Sequence, residues 1–301
     1  MWKCPDCKKL MSRDTYPPET HVCGDFMCQN CKKVQPKEHQ CYMKPKKLNE
    51  PHEKYIFFDF EADISDVNHK VMYAVSMYFD SEEPIIHHSL EEWCLWAFDK
   101  KHKGYTIIAH NGRGYDFRFI IRWVFLNTQF KPFVIWGGEK IITMSIEDLS
   151  IRFIDSLSFL TMPLKAFPKT FGLTEIKKGF FPHWFNTIEN WDYEGPVPNK
   201  DWFKPERMSP ADAEEFHSWH AEQIESNYIW NQKEEMKAYC ISDVDILRRC
   251  CIEFRQLYLD IADIDPFTYL TIASVCMAIY RYYYIDTTYP VRQKAFEDMK
   301  K

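Results

Sequence analysis

The pattern of apolar and polar positions changes character near residue 54. From Tyr55 onward, apolar runs, alternations and helical spacings follow one another with short turns between them. Tyr55-Ile-Phe-Phe58 reads as a buried strand that runs into Asp59 and Glu61. Val71 to Phe79 reads as its antiparallel hairpin partner, and residues 90–102 carry the spacing of an amphipathic helix. Tyr105 to His110 is a further β-prone run, followed by the turn Asn111-Gly-Arg-Gly and a helix from Phe117 to Phe125. Residues 133–160 alternate as hairpin strands around Gly137-Gly138, and Ile151-Arg-Phe-Ile154 is a strand that ends in Asp155. A helix is expected from Pro163 to about Phe171-Gly172. Residues 176–207 lack periodicity and are rich in Pro, Gly and aromatics, the mark of a long ordered loop. Ser209 caps a helix with Pro210 in its first turn. A long helix spans about 232–260, and another runs from about Asp265 to Tyr284.

The first 41 residues show no such periodicity. They contain an internal repeat instead: Cys4-x₂-Cys7 with His21-x-Cys23, then Cys28-x₂-Cys31 with His39-x-Cys41. Each half supplies three thiolates and one imidazole, a set suited to tetrahedral Zn²⁺. The two-residue gap lets both sulfurs of a pair reach one ion. Eight ligands imply two Zn²⁺ sites, taken in order along the chain or cross-braced. So short a segment has little core of its own, and metal would be needed to fold it. The expected organisation is a Cys/His zinc module over 1–43, a linker over 44–54, a main domain over 55–265 and a helical segment over 266–301.

Composition adjusts this picture in two ways. With 46% hydrophobic and 17% aromatic residues in 301, the chain can bury a sizeable core. No apolar run approaches the roughly 20 residues of a membrane span, and Met1-Trp-Lys-Cys4 does not open a signal segment. Eleven cysteines without such a segment point to an intracellular, reducing compartment, nucleus or cytoplasm, and away from secretion. The net charge is −6, yet residues 1–54 carry +4 and the remainder −10. The lysines of the N-terminal part (Lys32, Lys33, Lys37, Lys44, Lys46, Lys47) suit phosphate contacts or a solvated surface equally.

The candidate chemistry lies at three places. Asp59 and Glu61, two apart on a strand, point to one face beside an apolar core. Neighbouring carboxylates repel, and a hard divalent cation such as Mg²⁺ relieves that repulsion. Asp116 stands near a helix start, where it is either a cap or a third metal carboxylate. Tyr239 and Asp243, four apart on the long helix, project from one face.

In this order the three places resemble the DEDDy 3′–5′ exonucleases, most of all the proofreading domain of family B DNA polymerases. Phe58-Asp-Phe-Glu61 is similar to the first exonuclease motif, Asn111-Gly-Arg-Gly-Tyr-Asp116 to the second and Tyr239-Cys-Ile-Ser-Asp243 to the third. Ser156-Leu157-x₂-Leu160 looks like the single-stranded-DNA motif of the protein-primed branch, and Lys200-x₂-Phe203 like its lysine motif. Thr271 to Met277 looks like the segment that joins exonuclease to polymerase in viral, organellar and large-transposon members. The polymerase motifs themselves are absent, so the chain is expected to be a front-end fragment or a free-standing exonuclease.

The resemblance implies a ribonuclease-H-like α/β fold, a mixed sheet with helices on both faces, behind the zinc module. It also implies catalytic roles for Asp59, Glu61, Asp116, Tyr239 and Asp243. The four acids would hold two Mg²⁺ or Mn²⁺ ions roughly 3.5–4 Å apart. Tyr239 would orient the attacking water. Asn111, Tyr115, Ser156, Leu157 and Lys200 would contact DNA. The implied partners are single-stranded DNA at a primer terminus and a terminal-protein primer, with no membrane. Two other readings stay open on sequence: a silent zinc-dependent interaction module on a nuclease fold, and an exoribonuclease with the same site.

Overall fold

The computed structural model describes the chain except for residues 13–17, 29–30, 40, 42, 66, 68, 174–178 and 286–301. The chain forms two bodies, Met1–Leu48 with Cys276–Lys301, and Asn49–Val275. The last sixteen residues of the expected C-terminal segment lie outside the described residues.

The first body begins with two small hairpins, β1 (Trp2–Lys3) with β2 (Leu10–Met11) and β3 (Phe26–Met27) with β4 (Val34–Gln35). Their turns are built alike. Lys8 N–H donates to Cys4 O and Cys4 N–H to Lys9 O (3.1 and 3.0 Å). Lys32 N–H donates to Cys28 O and Cys28 N–H to Lys33 O (both 2.9 Å). Lys8 and Lys32 take left-handed φ values of 62° and 55°, which closes each turn around its Cys pair.

The second body is built on a mixed seven-stranded sheet. Its strands are β5 (Tyr55–Asp63), β6 (Lys70–Tyr78), β7 (Ile85–His87), β8 (Thr106–Ala109), β9 (Phe133–Gly137), β10 (Lys140–Ile146) and β11 (Ile151–Asp155). They lie in the order β7-β6-β5-β8-β11-β10-β9. β5, β8 and β11 are mutually parallel and central, and the outer pairings are antiparallel. β8, Thr-Ile-Ile-Ala, is buried at every position, as a parallel strand covered on both faces must be. The three parallel strands end on one edge, where Asp59–Glu61, His110–Asn111 and Asp155–Ser156 lie together. Strand ends of that kind are where open α/β sheets place ligands.

Helices cover both faces. α1 (Leu90–Ala97) and α2 (Asp116–Asn127) lie over the cluster in which Phe58 and Phe60 pack against Trp93 at 4.7 and 4.9 Å between ring centres. Ser89 caps α1 by accepting from Glu92 N–H. The helix stops at Ala97, short of the expected residue 102, because Asp99 starts a new 3-10 turn by accepting from Lys101 N–H at 2.8 Å. The stretch after Pro163 is a 3-10 turn that leads into α3 (Phe167–Phe171), and Gly172 ends it at φ 73°. α4 (Pro210–Glu225) carries the expected Ser209 cap. α5 (Gln232–Ala262) packs across β5 and β6 on the face opposite α1 and α2. Arg255 and Tyr55 both donate to Asp265 Oδ2 at 2.8 Å, which fastens the end of α5 to the start of β5.

Of the expected 176–207 loop, residues 176–178 lie outside the described residues; residues 179–207 are ordered by four 3-10 turns and by the strand β12 (Glu194–Pro196). β12 pairs with β13 (Ile229–Asn231), a pairing its three-residue strands are too short to announce in sequence. Phe181, Phe203, Phe216, Trp230 and Tyr239 form its own cluster. α6 (Ile272–Tyr283) is the last described helix, and Arg281 Nε in its final turn donates to Lys44 O at 2.8 Å.

Candidate active site and metal centres

The side chains of β5 alternate strictly. Phe58 and Phe60 enter the cluster under α1, so Asp59 and Glu61 point to the face that α5 covers. The ladder to β6 shifts register between Glu61 and Ala62, a bulge at the point where the acid leaves the regular pleat. The carboxylates of Asp59 and Glu61 and the Cys240 sulfur lie within 4.8 Å of one another. The Cys240 thiol donates to Asp59 O at 3.6 Å. Burial, then the charges of Asp59, Glu61 and Asp243, raise its pKa well above the usual value, so it stays a thiol. The two acids are therefore the candidate metal ligands of this cluster.

After β8 the chain turns through a left-handed Asn111 (φ 62°). A side chain at Gly112 would meet Ala109 Cβ at 2.7 Å and the Phe117 ring at 2.9 Å, so only glycine lets the turn approach the core this closely. Asp155, fully buried at the end of β11, holds the turn. It accepts from the backbone N–H of Asn111 (2.9 Å), Arg113 (3.0 Å) and Leu157 (2.9 Å), and Arg113 Nε stands 3.7 Å away. Its pKa is raised by burial against the pull of those donors. One carboxylate thus fixes the segments that follow β8 and β11 together. Asp155 belongs to none of the three sequence motifs; by register it is level with Phe58, one position before Asp59 on β5.

Asp116 is the first residue of α2 and is buried. Its Oδ1 has no hydrogen-bond partner, and its pKa is pushed up to about 7, first by burial and then by the nearby Asp155 charge. A buried carboxylate oxygen without a donor is costly in water's absence, and a cation would relieve that cost. Tyr115, next to it, donates or accepts with His69 Nδ1 at 2.9 Å. Burial raises its pKa, followed by the charges of Asp116, Glu61 and Asp59.

Tyr239 and Asp243 share the inner face of α5. Phe181 stacks on the Tyr239 ring at 4.9 Å, and the Tyr239 hydroxyl stands 3.3 Å from His183 Nε2. Burial, then Asp243, Glu61 and Asp59, raise its pKa well above the usual phenol value. The loop that carries His183 is pinned to β5: Asn186 Nδ2 donates to Ala62 O (2.8 Å) and Ile64 N–H donates to Asn186 O (3.2 Å).

These segments enclose a cavity of about 660 Å³. Asp59, Glu61, Asn111, Tyr115, Leu157, Tyr239 and Asp243 line it, together with His110, His183 and Asn186, which no sequence motif marks. Asp116 and Ser156 are buried outside its lining, and Ser156 Oγ bonds His110 Nδ1 at 2.9 Å. Lys200 is exposed in the 3-10 turn Lys200–Phe203 and does not line the cavity. The charges of Asp59 and Glu61 act on Tyr115 beside Asp116 and on Tyr239 beside Asp243. An all-oxygen donor set with buried, mutually repelling carboxylates fits hard divalent cations.

In the first body, Cys4, Cys7, His21 and Cys23 bring their ligand atoms within 4.8 Å of one another, and so do Cys28, Cys31, His39 and Cys41. The ligands are gathered in chain order, which resolves the choice the sequence left open against cross-bracing. The Cys-x₂-Cys hairpins of the two halves match at an offset of 24 residues and the His-x-Cys pairs at 18, so the second half has the shorter connection. In each, an aromatic ring two positions before the first Cys packs on the ligand His, Trp2 on His21 (5.4 Å) and Phe26 on His39 (6.3 Å). The backbone N–H of Cys7 is the main cause that lowers the Cys4 thiol to about 6. Four soft-and-borderline ligands at such spacing fit Zn²⁺.

Among the described residues, no helix is long and apolar enough to cross a membrane. Residues 99–301 match the family model for DNA polymerase type B, organellar and viral. A probable DNA polymerase from Neurospora intermedia is 29% identical over 195 residues, covering 62% of this chain and 20% of that protein. Phi29 DNA polymerase in its ternary complex with primer-template DNA and incoming nucleotides is similar over 75% of this chain and 33% of that one, at 21% identity and a TM-score of 0.45. Its complex with single-stranded DNA gives 19% identity, 75% and 34% coverage and a TM-score of 0.46. The chain thus spans about a fifth to a third of the length of these relatives.

Proposed function

The chain belongs to the organellar and viral type B DNA polymerases, and from that premise we propose that residues 55–265 are a ribonuclease-H-like 3′–5′ exonuclease domain. It trims single-stranded DNA 3′ ends as the proofreading part of a replicative, protein-primed DNA polymerase. The observation that carries this reading is the meeting of Asp59, Glu61, Tyr239 and Asp243 in one cavity, with the unsatisfied Asp116 buried beside Tyr115.

Asp59, Glu61, Asp116 and Asp243 would hold two Mg²⁺ or Mn²⁺ ions. When bound, such ions acidify a water and offset the charge that builds on a scissile phosphate and its leaving oxygen. Water adds to the terminal phosphorus, the P–O3′ bond breaks, and a nucleoside monophosphate leaves. The raised pKa of Tyr239 rules it out as the base, so its hydroxyl orients the water by hydrogen bonding. Tyr115 and Leu157 supply surfaces for the last bases, and Asn111, fixed by Asp155, supplies a side-chain amide. Ser156 acts through His110. Two Zn²⁺ ions, one per Cys₃His set, would hold residues 1–43 folded.

Incubation with 5′-labelled single-stranded DNA and Mg²⁺ is expected to give a ladder shortened one nucleotide at a time, and none with chelator. An RNA strand run in parallel measures the sugar preference. Intact substrate under all metal conditions would overturn the proposal.

A further inference from the structure

The 176–207 loop does more than cover Tyr239. Its 3-10 turn His183–Phe185 has cavity-lining residues at both ends, His183 and Asn186. Between them Trp184 is 43% exposed, unusual for an indole on a turn that is otherwise pinned to β5. Two cations stand over its ring, Lys204 Nζ at 5.6 Å and the Arg207 guanidinium at 5.1 Å. Among the described residues neither cation forms an ion pair, and the acids of the same stretch, Asp201 and Glu206, pair with neither. Lys204 is held there by a left-handed backbone (φ 55°) that opens the turn Pro205–Arg207. Trp202, 41% exposed, is edge-on to Phe185 at 5.5 Å in the same loop.

An exposed indole with two uncompensated cations beside a carboxylate-lined cavity is a surface for a polyanion that also offers flat rings. The cavity, lined by Asp59, Glu61 and Asp243, repels phosphate until its cations are bound, so a strand entering it needs positive charge outside. We propose that Trp184, Lys204 and Arg207 form a binding surface for the substrate strand on the 5′ side of its scissile nucleotide, with a base against the indole and phosphates at the two cations. The inference rests on the exonuclease reading of the cavity.

The surface touches nucleotides upstream of the one removed, so substrate length separates it from the chemistry. The full chain is assayed with Mg²⁺ on a dinucleotide and on a single strand of about 15 nucleotides, a span typical of such sites. Trp184→Ala is expected to raise KM about tenfold on the long strand and leave kcat and dinucleotide turnover unchanged, with Trp184→Phe restoring most of the affinity. Lys204→Gln with Arg207→Gln should flatten the salt dependence of long-strand binding by roughly 0.7 per lost phosphate contact. Thermal melting of each variant checks the fold. If these variants shift melting alone, or raise KM equally on both substrates, the cations merely shelter the indole and the proposal fails. If the wild-type chain cleaves neither substrate, the exonuclease reading fails instead.

Discussion

The two hairpin turns of the N-terminal body and the strand edge of the main body both gather candidate metal ligands, and they do so in opposite ways. The two Cys₃His sets come from contiguous stretches of 20 and 14 residues, each around a hairpin with almost no core. The acids come from three segments up to 184 residues apart, and a large apolar cluster holds them together. In the first region, under the proposed reading, an ion would substitute for a core. In the second an apolar core already packs behind the carboxylates. Metal ligands can therefore serve folding in one place and chemistry in another, and what would distinguish them is how much of the geometry survives when the metal leaves.

The largest expected effect comes from the acids. Asp59→Ala with Glu61→Ala should reduce nucleotide release by about a thousandfold or more while thermal melting of the main body is unchanged or raised, since two repelling charges are gone. A comparable loss of melting temperature would show that the acids are structural. Zinc chelation should do the reverse. Amide exchange in residues 1–48 is expected to become fast, with exchange in β5, β8 and β11 unaltered. Slow exchange in both regions after zinc removal would contradict the distinction.

Asp155 tests the main body's pre-formed geometry. Asp155→Ala leaves three backbone N–H groups without an acceptor, and a loss of about 3 kcal/mol in unfolding free energy is expected. KM for single strands should rise with it, since Asn111 and Leu157 are no longer fixed. Asp116 adds a pH signature. Its pKa is about 7 in the folded chain against 3.8 in the unfolded one, so the metal-free native state binds the extra proton. Stability should fall as pH rises from about 4 to about 7 and level off above, and Asp116→Asn should flatten that slope in urea titrations. The smallest effect is expected at Cys240. Its thiol is held neutral, so Cys240→Ser should change cleavage within about twofold and stability by about 1 kcal/mol.

The contrast also explains what the sequence could convey. The Cys-x₂-Cys and His-x-Cys spacings are local, so both ligand sets were legible, while their pairing along the chain was not. Asp59, Glu61, Tyr239 and Asp243 were legible through strand and helix periodicity together with a family resemblance, because each pair sits on one regular element. Asp155, His183 and Asn186 were not. Asp155 works through backbone N–H groups that leave no trace in composition, and the other two sit in a loop whose path depends on the β12–β13 pairing and on one side-chain bond to Ala62. Lys200 had suitable chemistry and spacing, yet it is exposed and does not line the cavity. α1 ended early because a local Asx cap at Asp99 outweighed the helical spacing that follows.

The most direct test of the account is a Mn²⁺ binding titration of the chain with zinc content measured on the same sample. Two bound Zn²⁺ and a separate class of Mn²⁺ sites are predicted, with Asp59→Ala and Glu61→Ala together removing the Mn²⁺ binding and leaving both Zn²⁺ in place. Mn²⁺ binding that survives the double substitution, or that disappears along with the zinc when Cys4 and Cys28 are replaced by Ser, would contradict it.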